Sequence, residues 1–186
     1  MDRYVRLAVI GTGRIGKLHV ENIVCSIPQA KLIGVADIDH VSATEVASRF
    51  GIPLAVADYG ELLNRPELDA IVICSATNTH AQIIQDASQA GKHIFCEKPV
   101  GLDPYQVAEI ELAAREAGVR SGVGYNYRWA PVVQYARQMI SEGKIGAITH
   151  YRGRFLVGYA RNPNGVLSWR FERERSEEHT SELQSL

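Results

Sequence analysis

The feature that most constrains the fold of this chain is a regular alternation of apolar runs and helical patterns over residues 5–124. The apolar runs are rich in Val, Ile and Ala and are nearly continuous, which is typical of parallel strands buried on both faces. Because a helical pattern separates each run from the next, the sequence predicts an α/β fold with a doubly wound parallel sheet of the Rossmann type.

Element boundaries follow from these runs and from the turn residues between them. Strands are expected at 5–10, 31–36, 54–57, 70–74, 93–96 and 119–124, and helices at 15–26, 41–50, 59–63, 79–90, 104–117 and 131–141. Gly51 marks a helix end, and Asp103-Pro104 marks a helix start. After residue 124 an aromatic and basic segment, a helix and an extended stretch at 147–159 replace the alternation. We therefore expect one domain at 1–124 and the start of a second at 125–174.

A glycine loop follows the first predicted strand and opens a predicted helix. Gly11, Gly13 and Gly16 have the GxGxxG spacing. In such a loop the first glycine permits a tight turn, the second lets the backbone approach a pyrophosphate, and the third lets helix and strand pack closely. The main-chain N–H groups of Arg14 and Ile15 would then face the phosphates. This context predicts a dinucleotide site, and the alternative is a glycine-rich turn without a ligand.

Asp37 ends the second predicted strand, 21 residues after Gly16. A carboxylate at this place accepts hydrogen bonds from the adenosine ribose and repels a 2′-phosphate. Because Ile38, Asp39 and His40 follow without an arginine, the predicted cofactor is NAD, with NADP disfavoured. The alternative is that Asp37 only caps the next helix, a role for which Asp39 is equally suited.

Two further segments follow strands at the edge of the sheet where ligands of open α/β folds bind. After the fourth strand, the candidate contacts for the nicotinamide end of the cofactor are Ala76, Thr77, Asn78 and His80. Thr77 or Asn78 is alternatively a helix N-cap, and His80 is alternatively a solvated surface histidine.

Glu97, Lys98 and Pro99 come directly after the fifth predicted strand. Lys98 is the catalytic candidate, and both Glu97 and Lys98 are candidate cofactor contacts. Beside a bound nicotinamide, the Lys98 ammonium would hydrogen-bond the substrate oxygen and stabilise the developing alkoxide.

Composition narrows the classes of partner. The net charge is −1 and no long block of like charge occurs, which argues against nucleic acid and anionic membranes and favours a small neutral ligand. No secretory pattern opens the chain and no run reaches transmembrane length, so a cytoplasmic protein is expected. Cys25, Cys74 and Cys96 lack metal-ligand spacing, so we expect reduced, mostly packed thiols and no metal site.

The glycine loop, Asp37, residues 76–80, the GKHIFCEKP segment at 91–99 and residues 124–131 together resemble the glucose-fructose oxidoreductase / inositol dehydrogenase / MocA (Gfo/Idh/MocA) family over about residues 4–171. The resemblance implies an NAD(P)-dependent oxidoreductase of a sugar or cyclic polyol, inositol-like, with a Rossmann domain before a C-terminal α+β open-sheet domain. It also implies a catalytic Lys98, an often-cis Lys-Pro bond, Arg128 near the cofactor cleft and a homo-oligomeric full-length protein. A salt bridge at the domain junction is the alternative role for Arg128.

The family's aspartate and histidine acid/base pair does not occur in this chain. We therefore expect a C-terminally truncated fragment that binds NAD and turns over poorly or not at all. The alternative is a non-catalytic NAD-binding sensor or partner protein on the same fold. Residues 175–185 match a translated sequencing-library adapter, and residues 175–186 are therefore expected to be an artefact.

Overall fold

The structure is a computed structural model that describes residues 4–154 and 156. Its strands are β1 (Val5–Ile10), β2 (Ala30–Ala36), β3 (Ala55–Val56), β4 (Ala70–Ile73), β5 (His93–Cys96) and β6 (Ser121–Val123). They form one parallel sheet in the order β3-β2-β1-β4-β5-β6. This is the strand order of the Rossmann dinucleotide fold, and it confirms the predicted fold class.

The helices are α1 (Arg14–Ser26), α2 (His40–Phe50), α3 (Gly60–Leu63), α4 (Thr77–Gln89), α5 (Pro104–Glu116) and α6 (Pro131–Ser141). Their ends follow local chemistry. The Asp103 carboxylate accepts from the main-chain N–H groups of Tyr105 and Gln106, both at 2.9 Å, and Pro104 opens α5. Gly51 ends α2 with φ of +66°, which glycine adopts without steric cost.

The core consists of two apolar clusters on opposite faces of the sheet. Neighbouring residues of one strand alternate between them: Ile71 and Ile73 belong to one cluster and Val72 to the other. Helices α3, α4 and α5 complete the first cluster, and α1 and α2 complete the second. Within the described part of the chain, helices therefore cover both faces of the sheet, and its edges are left accessible to ligands.

The described residues divide into two compact units between Gly124 and Tyr125. The second unit contains a 3-10 helix (Asn126–Trp129) and α6. Within the extended stretch expected at 147–159, residues 147–154 and 156 form no strand, so the strand expected to start at residue 147 is wrong for these residues. A strand requires a hydrogen-bonded partner strand, and no described residue pairs with this stretch. The rest of that stretch and residues 175–186 lie outside the described residues.

Candidate cofactor and catalytic site

The glycine loop has the geometry that its three glycines predict. Gly11 has φ of +94°, and a Cβ added there would lie 2.7 Å from the carbonyl carbon of Cys74. A Cβ on Gly16 would lie 1.8 Å from the carbonyl oxygen of Gly11. A Cβ on Gly13 would meet nothing within 4 Å, so this glycine faces open space. Gly11 and Gly16 are therefore required by packing, whereas Gly13 leaves open space beside the backbone.

The N-terminus of α1 offers its main-chain donors to that open space. Gly13 is the N-cap and has no side chain to cap the helix, and the first turn contains no acidic residue. The first N–H groups of a helix lack partners within it, and the helix dipole adds positive potential at this end. The position of the Arg14 and Ile15 amides is compatible with a pyrophosphate, and their contact with one stays a prediction.

A cleft of about 400 Å³ lies in front of this helix end. It brings together six of the predicted site residues: Gly11, Gly13, Arg14, Ile15, Asp37 and Ala76. Its other walls are largely apolar and include Ile38, Ala57 and Ile83. The cleft is in the size range of small-molecule and cofactor sites, with few polar groups to fix the orientation of a ligand.

Asp37 is held firmly at the rim of the cleft. Its Oδ2 accepts from the Thr12 main-chain N–H at 2.6 Å and from the Thr12 hydroxyl at 2.9 Å. Its Oδ1 accepts from the Asp39 N–H at 2.9 Å. The cap of α2 is Asp39, whose carboxylate accepts from Val41 and Ser42 N–H groups. Asp37 is therefore not the helix cap, and it lines the cleft instead.

The turn between β4 and α4 is fixed by hydroxyl groups. The Thr79 hydroxyl donates to the Ala76 carbonyl at 2.7 Å, so the Ser75 hydroxyl, 2.7 Å from Thr79 Oγ1, is the donor in that pair. Thr77 is fully buried and Asn78 is exposed, and neither side chain caps α4. Neither Thr77 nor Asn78 is therefore the N-cap of α4, which is Ala76.

His80 is 1% exposed and is not the solvated histidine that was one expectation. Its Nδ1 lies 2.7 Å from the Pro99 carbonyl oxygen, and its Nε2 lies 3.0 Å from the Ser75 carbonyl oxygen. Burial lowers the pKa of His80, although both carbonyls and Glu97 act in the opposite direction. Because both ring nitrogens face the backbone, His80 joins the β4–α4 turn to the segment that carries Lys98.

The segment after β5 places Lys98 at the carboxyl edge of the sheet. The Lys98-Pro99 peptide bond is cis, the Lys98 side chain is exposed, and Lys98 is not among the residues that line the cleft. Glu97 Oε1 lies 2.8 Å from Nε2 of His19 on α1, and its Oε2 accepts from the Lys98 N–H at 3.3 Å. The Glu97 carboxylate is thus occupied by α1 and by its own backbone.

The three cysteines are free thiols, as predicted, but they differ in exposure. Cys25 is exposed, Cys74 is partly buried in the wall of the cleft, and Cys96 is buried. Burial raises the pKa of Cys74 and that of Cys96, the latter to about 12, and Glu97 adds to both. Neither buried thiol is a nucleophile near neutral pH. Among residues 4–154 and 156, no cluster of three metal-ligating side chains occurs, and no helix is long and apolar enough to cross a membrane.

Arg128 belongs to the second unit and lies on its 3-10 helix. Its carbonyl oxygen accepts from the Gln134 side-chain amide of α6. Its predicted place near the cofactor stays a prediction.

The residues that sequence reasoning missed are three that hold the site residues in place: Thr12, His19 and Ser42. Their bonds join elements far apart in the chain, such as His19 and Glu97, and no spacing rule indicates such pairs. One of these contacts had a signal in the sequence: Thr12 carries a hydroxyl group in a loop that must lie beside Asp37, which indicates a hydrogen bond between the two.

The strand order, the glycine loop and the carboxylate after β2 define a dinucleotide-binding protein of the Rossmann class. The chain belongs to the Gfo/Idh/MocA oxidoreductase family with an NAD-binding Rossmann fold, whose family model matches residues 5–125. The predicted family and NAD as the predicted cofactor are thus confirmed.

Named relatives agree with this membership. The chain is 38% identical over 153 residues to scyllo-inositol 2-dehydrogenase (NAD(+)) of Bacillus subtilis, covering 82% of this chain and 45% of the relative. A levoglucosan dehydrogenase solved in complex with NADH superposes with a TM-score of 0.87 at 30% identity, covering 94% of this chain and 49% of that one. Scyllo-inositol dehydrogenase of Lactobacillus casei with bound NAD(H) and scyllo-inositol gives a TM-score of 0.74 at 31% identity, covering 78% and 43%. The chain spans less than half the length of these relatives.

Proposed function

We propose that this chain is the cofactor-binding part of an NAD-dependent dehydrogenase of a sugar or cyclic polyol. The observation that carries the proposal is the cleft, with the uncapped start of α1 on one side and the Asp37 carboxylate on the other. The relatives named for inositol and levoglucosan support the substrate class.

In this proposal the main-chain donors of Arg14 and Ile15 hold the pyrophosphate, and Asp37 Oδ1 holds the adenosine ribose. Ala76 and the turn that Ser75 and Thr79 stabilise lie toward the nicotinamide end. When bound, the nicotinamide supplies the acceptor or donor of hydride. These residues lie at the carboxyl ends of β1, β2 and β4, at the point where the strand order reverses, and they would hold the cofactor there.

Lys98 is the proposed catalytic residue. It follows β5, the neighbour of β4, so it stands on the same sheet edge as the cleft. Its ammonium would donate a hydrogen bond to the substrate oxygen and stabilise negative charge as it develops there. The chain contains no aspartate and histidine pair in the pattern expected of the family, so we expect cofactor binding with little or no turnover from this chain alone.

The cofactor part is tested by titrating the chain with NADH and following nicotinamide fluorescence. Asp37→Ala should weaken NADH binding about tenfold, the effect of losing a hydrogen bond to a charged group. Asp39→Ala is the matched control, because it removes the neighbouring carboxylate and keeps the main-chain bond to Asp37. Equal weakening in both variants would argue against Asp37 as the ribose ligand.

The catalytic part is tested in the longer protein that carries this sequence, by following NADH formation with inositols and simple sugars. Lys98→Met keeps the length of the side chain and removes its charge, so kcat should fall by at least about a hundredfold. Undiminished turnover would remove Lys98 from its role. NAD binding without oxidation of any polyol would favour the alternative, a sensor or partner protein on the same fold.

A further inference from the structure

Thr12 occupies an unusual position for a loop residue. It lies between Gly11 and Gly13, yet its side chain is 0% exposed. Its hydroxyl oxygen is 2.9 Å from Asp37 Oδ2 and 2.9 Å from the Ser42 hydroxyl oxygen. The hydroxyl is therefore buried below the cleft, between the carboxylate at the end of β2 and the first turn of α2.

The direction of these bonds follows from hydrogen counting. A carboxylate only accepts, so the single hydroxyl hydrogen of Thr12 goes to Asp37. Ser42 must then be the donor in its contact with Thr12, and the chain runs from Ser42 through Thr12 to Asp37. Hydrogen bonds arranged head to tail polarise one another and strengthen the last member.

This chain decides which oxygen of Asp37 faces a ligand. Oδ2 accepts two bonds, both from Thr12, and thereby uses both of its lone-pair directions. Oδ1 accepts only the Asp39 N–H among the bonds of the described residues, so it retains acceptor capacity toward the cleft. The carboxylate thus offers one fixed acceptor rather than two mobile ones.

We propose that Thr12 is a positioning residue for cofactor selectivity, acting through Asp37 on the choice between NAD and NADP. The inference rests on the proposed role of Asp37 as the ribose ligand. An oriented carboxylate accepts a hydrogen bond from the ribose hydroxyl of NAD and repels the 2′-phosphate of NADP. A carboxylate released from Thr12 Oγ1 turns more freely, so it binds the hydroxyl less well and repels the phosphate less.

The test measures dissociation constants for NADH and NADPH with the full chain. Thr12→Val keeps the shape and removes the hydroxyl, and it should weaken NADH binding about tenfold while changing NADPH binding much less. The ratio of the NADPH dissociation constant to the NADH dissociation constant should therefore fall at least about threefold. Thr12→Ser restores the hydroxyl and should restore the preference, and Ser42→Ala should give a smaller change in the same direction.

Thr44→Val is the matched control, because the Thr44 hydroxyl bonds only the His40 carbonyl within α2. A loop that is merely damaged would lose both cofactors equally, because the pyrophosphate is common to them. An unchanged preference in Thr12→Val overturns the inference, whether or not both affinities fall. If Asp37→Ala also leaves the preference unchanged, the proposed ribose site fails as well; if Asp37→Ala alone narrows it, only the role of Thr12 is lost.

Discussion

The imidazole of His19 lies 2.8 Å from the carboxylate of Glu97 and joins the helix that starts at the glycine loop to the residue before Lys98. His80 makes the corresponding contact on the other side, at the carbonyl of Pro99. The backbone of Lys98 is therefore fixed before and after by histidines of α1 and α4, the two helices that begin at the cleft. Its side chain is exposed on this fixed base.

The first prediction concerns stability in acid. Burial opposes ionisation of Glu97, but the hydrogen bond and charge of His19, with the N–H and charge of Lys98, lower the pKa of its carboxyl group. A folded-state pKa below the unfolded value gives stability that is present above the ordinary value of 4.5 and lost as the pH falls through the folded pKa.

Glu97→Gln should remove the loss of stability in acid that depends on Glu97. We expect this loss to be on the order of 0.5 kcal/mol, because the His19–Glu97 pair is partly exposed. Urea unfolding at about pH 6 and about pH 4 measures it. Glu67→Gln is the control, since Glu67 forms a looser and more exposed ion pair with Arg65 at 3.6 Å. An equal acid loss in the wild type and in Glu97→Gln would contradict the prediction.

The second prediction concerns His80. The neutral ring of His80 has a single N–H, so it donates to only one of the carbonyls of Pro99 and Ser75. His80→Leu removes that buried hydrogen bond, so the free energy of unfolding should fall by about 1–3 kcal/mol. His40→Leu changes an exposed histidine and should cost less than about 0.5 kcal/mol.

His80 also has a pH signature in a different range. Burial lowers its pKa, so the unfolded chain binds a proton more readily than the folded chain. The stability that depends on neutral His80 is complete above the ordinary value of 6.5 and declines as the pH falls below it. The melting temperature of the wild type should therefore fall more steeply from about pH 7.5 to 5.5 than that of His80→Leu. Parallel curves would show that His80 has an unperturbed pKa.

The third prediction separates two glycines of one loop. Gly16→Ala places a methyl group 1.8 Å from a carbonyl oxygen, so it should destabilise the fold by at least about 3 kcal/mol. Gly13→Ala meets nothing within 4 Å and should cost at most about 1 kcal/mol. NADH binding should nevertheless weaken in Gly13→Ala, because the methyl group enters the space next to the pyrophosphate. Thermal melts and NADH titrations of both variants give the comparison; unchanged NADH affinity in Gly13→Ala would place the pyrophosphate elsewhere.

The fourth prediction concerns a buried lysine outside the cleft. Lys92 is 8% exposed, and its ammonium donates to the carbonyls of Arg65 at 2.7 Å and Leu68 at 3.1 Å. Lys92→Met removes both donors and should lower the free energy of unfolding by about 2 kcal/mol without changing NADH affinity. Lys31→Met, at an exposed position of β2, is the control and should change neither quantity. A loss of NADH affinity in Lys92→Met would connect this bond to the site.

The sheet was predictable because a parallel strand buried on both faces is a nearly continuous run of apolar residues in the sequence. The strands predicted at 5–10 and 93–96 occur with those bounds, as β1 and β5. The strand predicted at 54–57 is reduced to Ala55–Val56, since only these residues pair with β2. A stretch such as 147–154 has strand composition, but composition does not supply a partner.

The site was predictable where function depends on one residue and its neighbours. Gly11 and Gly16 could be assigned because only glycine fits a sharp turn or a helix packed on a strand. His80 could not, because first helical turns are usually exposed and the Pro99 carbonyl that receives it is 19 residues away. The hydroxyl of Thr12 was missed for the same reason, since Asp37 and Ser42 lie 25 and 30 residues from it.

The two roles of Asp37 restrict how this chain can evolve or be engineered. The same carboxylate that we propose as the ribose ligand also anchors Thr12 in the glycine loop. A substitution that removes it to admit a 2′-phosphate therefore releases the loop at the same step. A change of cofactor at this position therefore needs a second substitution that anchors Thr12 again, because removal of the carboxylate alone leaves the Thr12 N–H and hydroxyl without their acceptor.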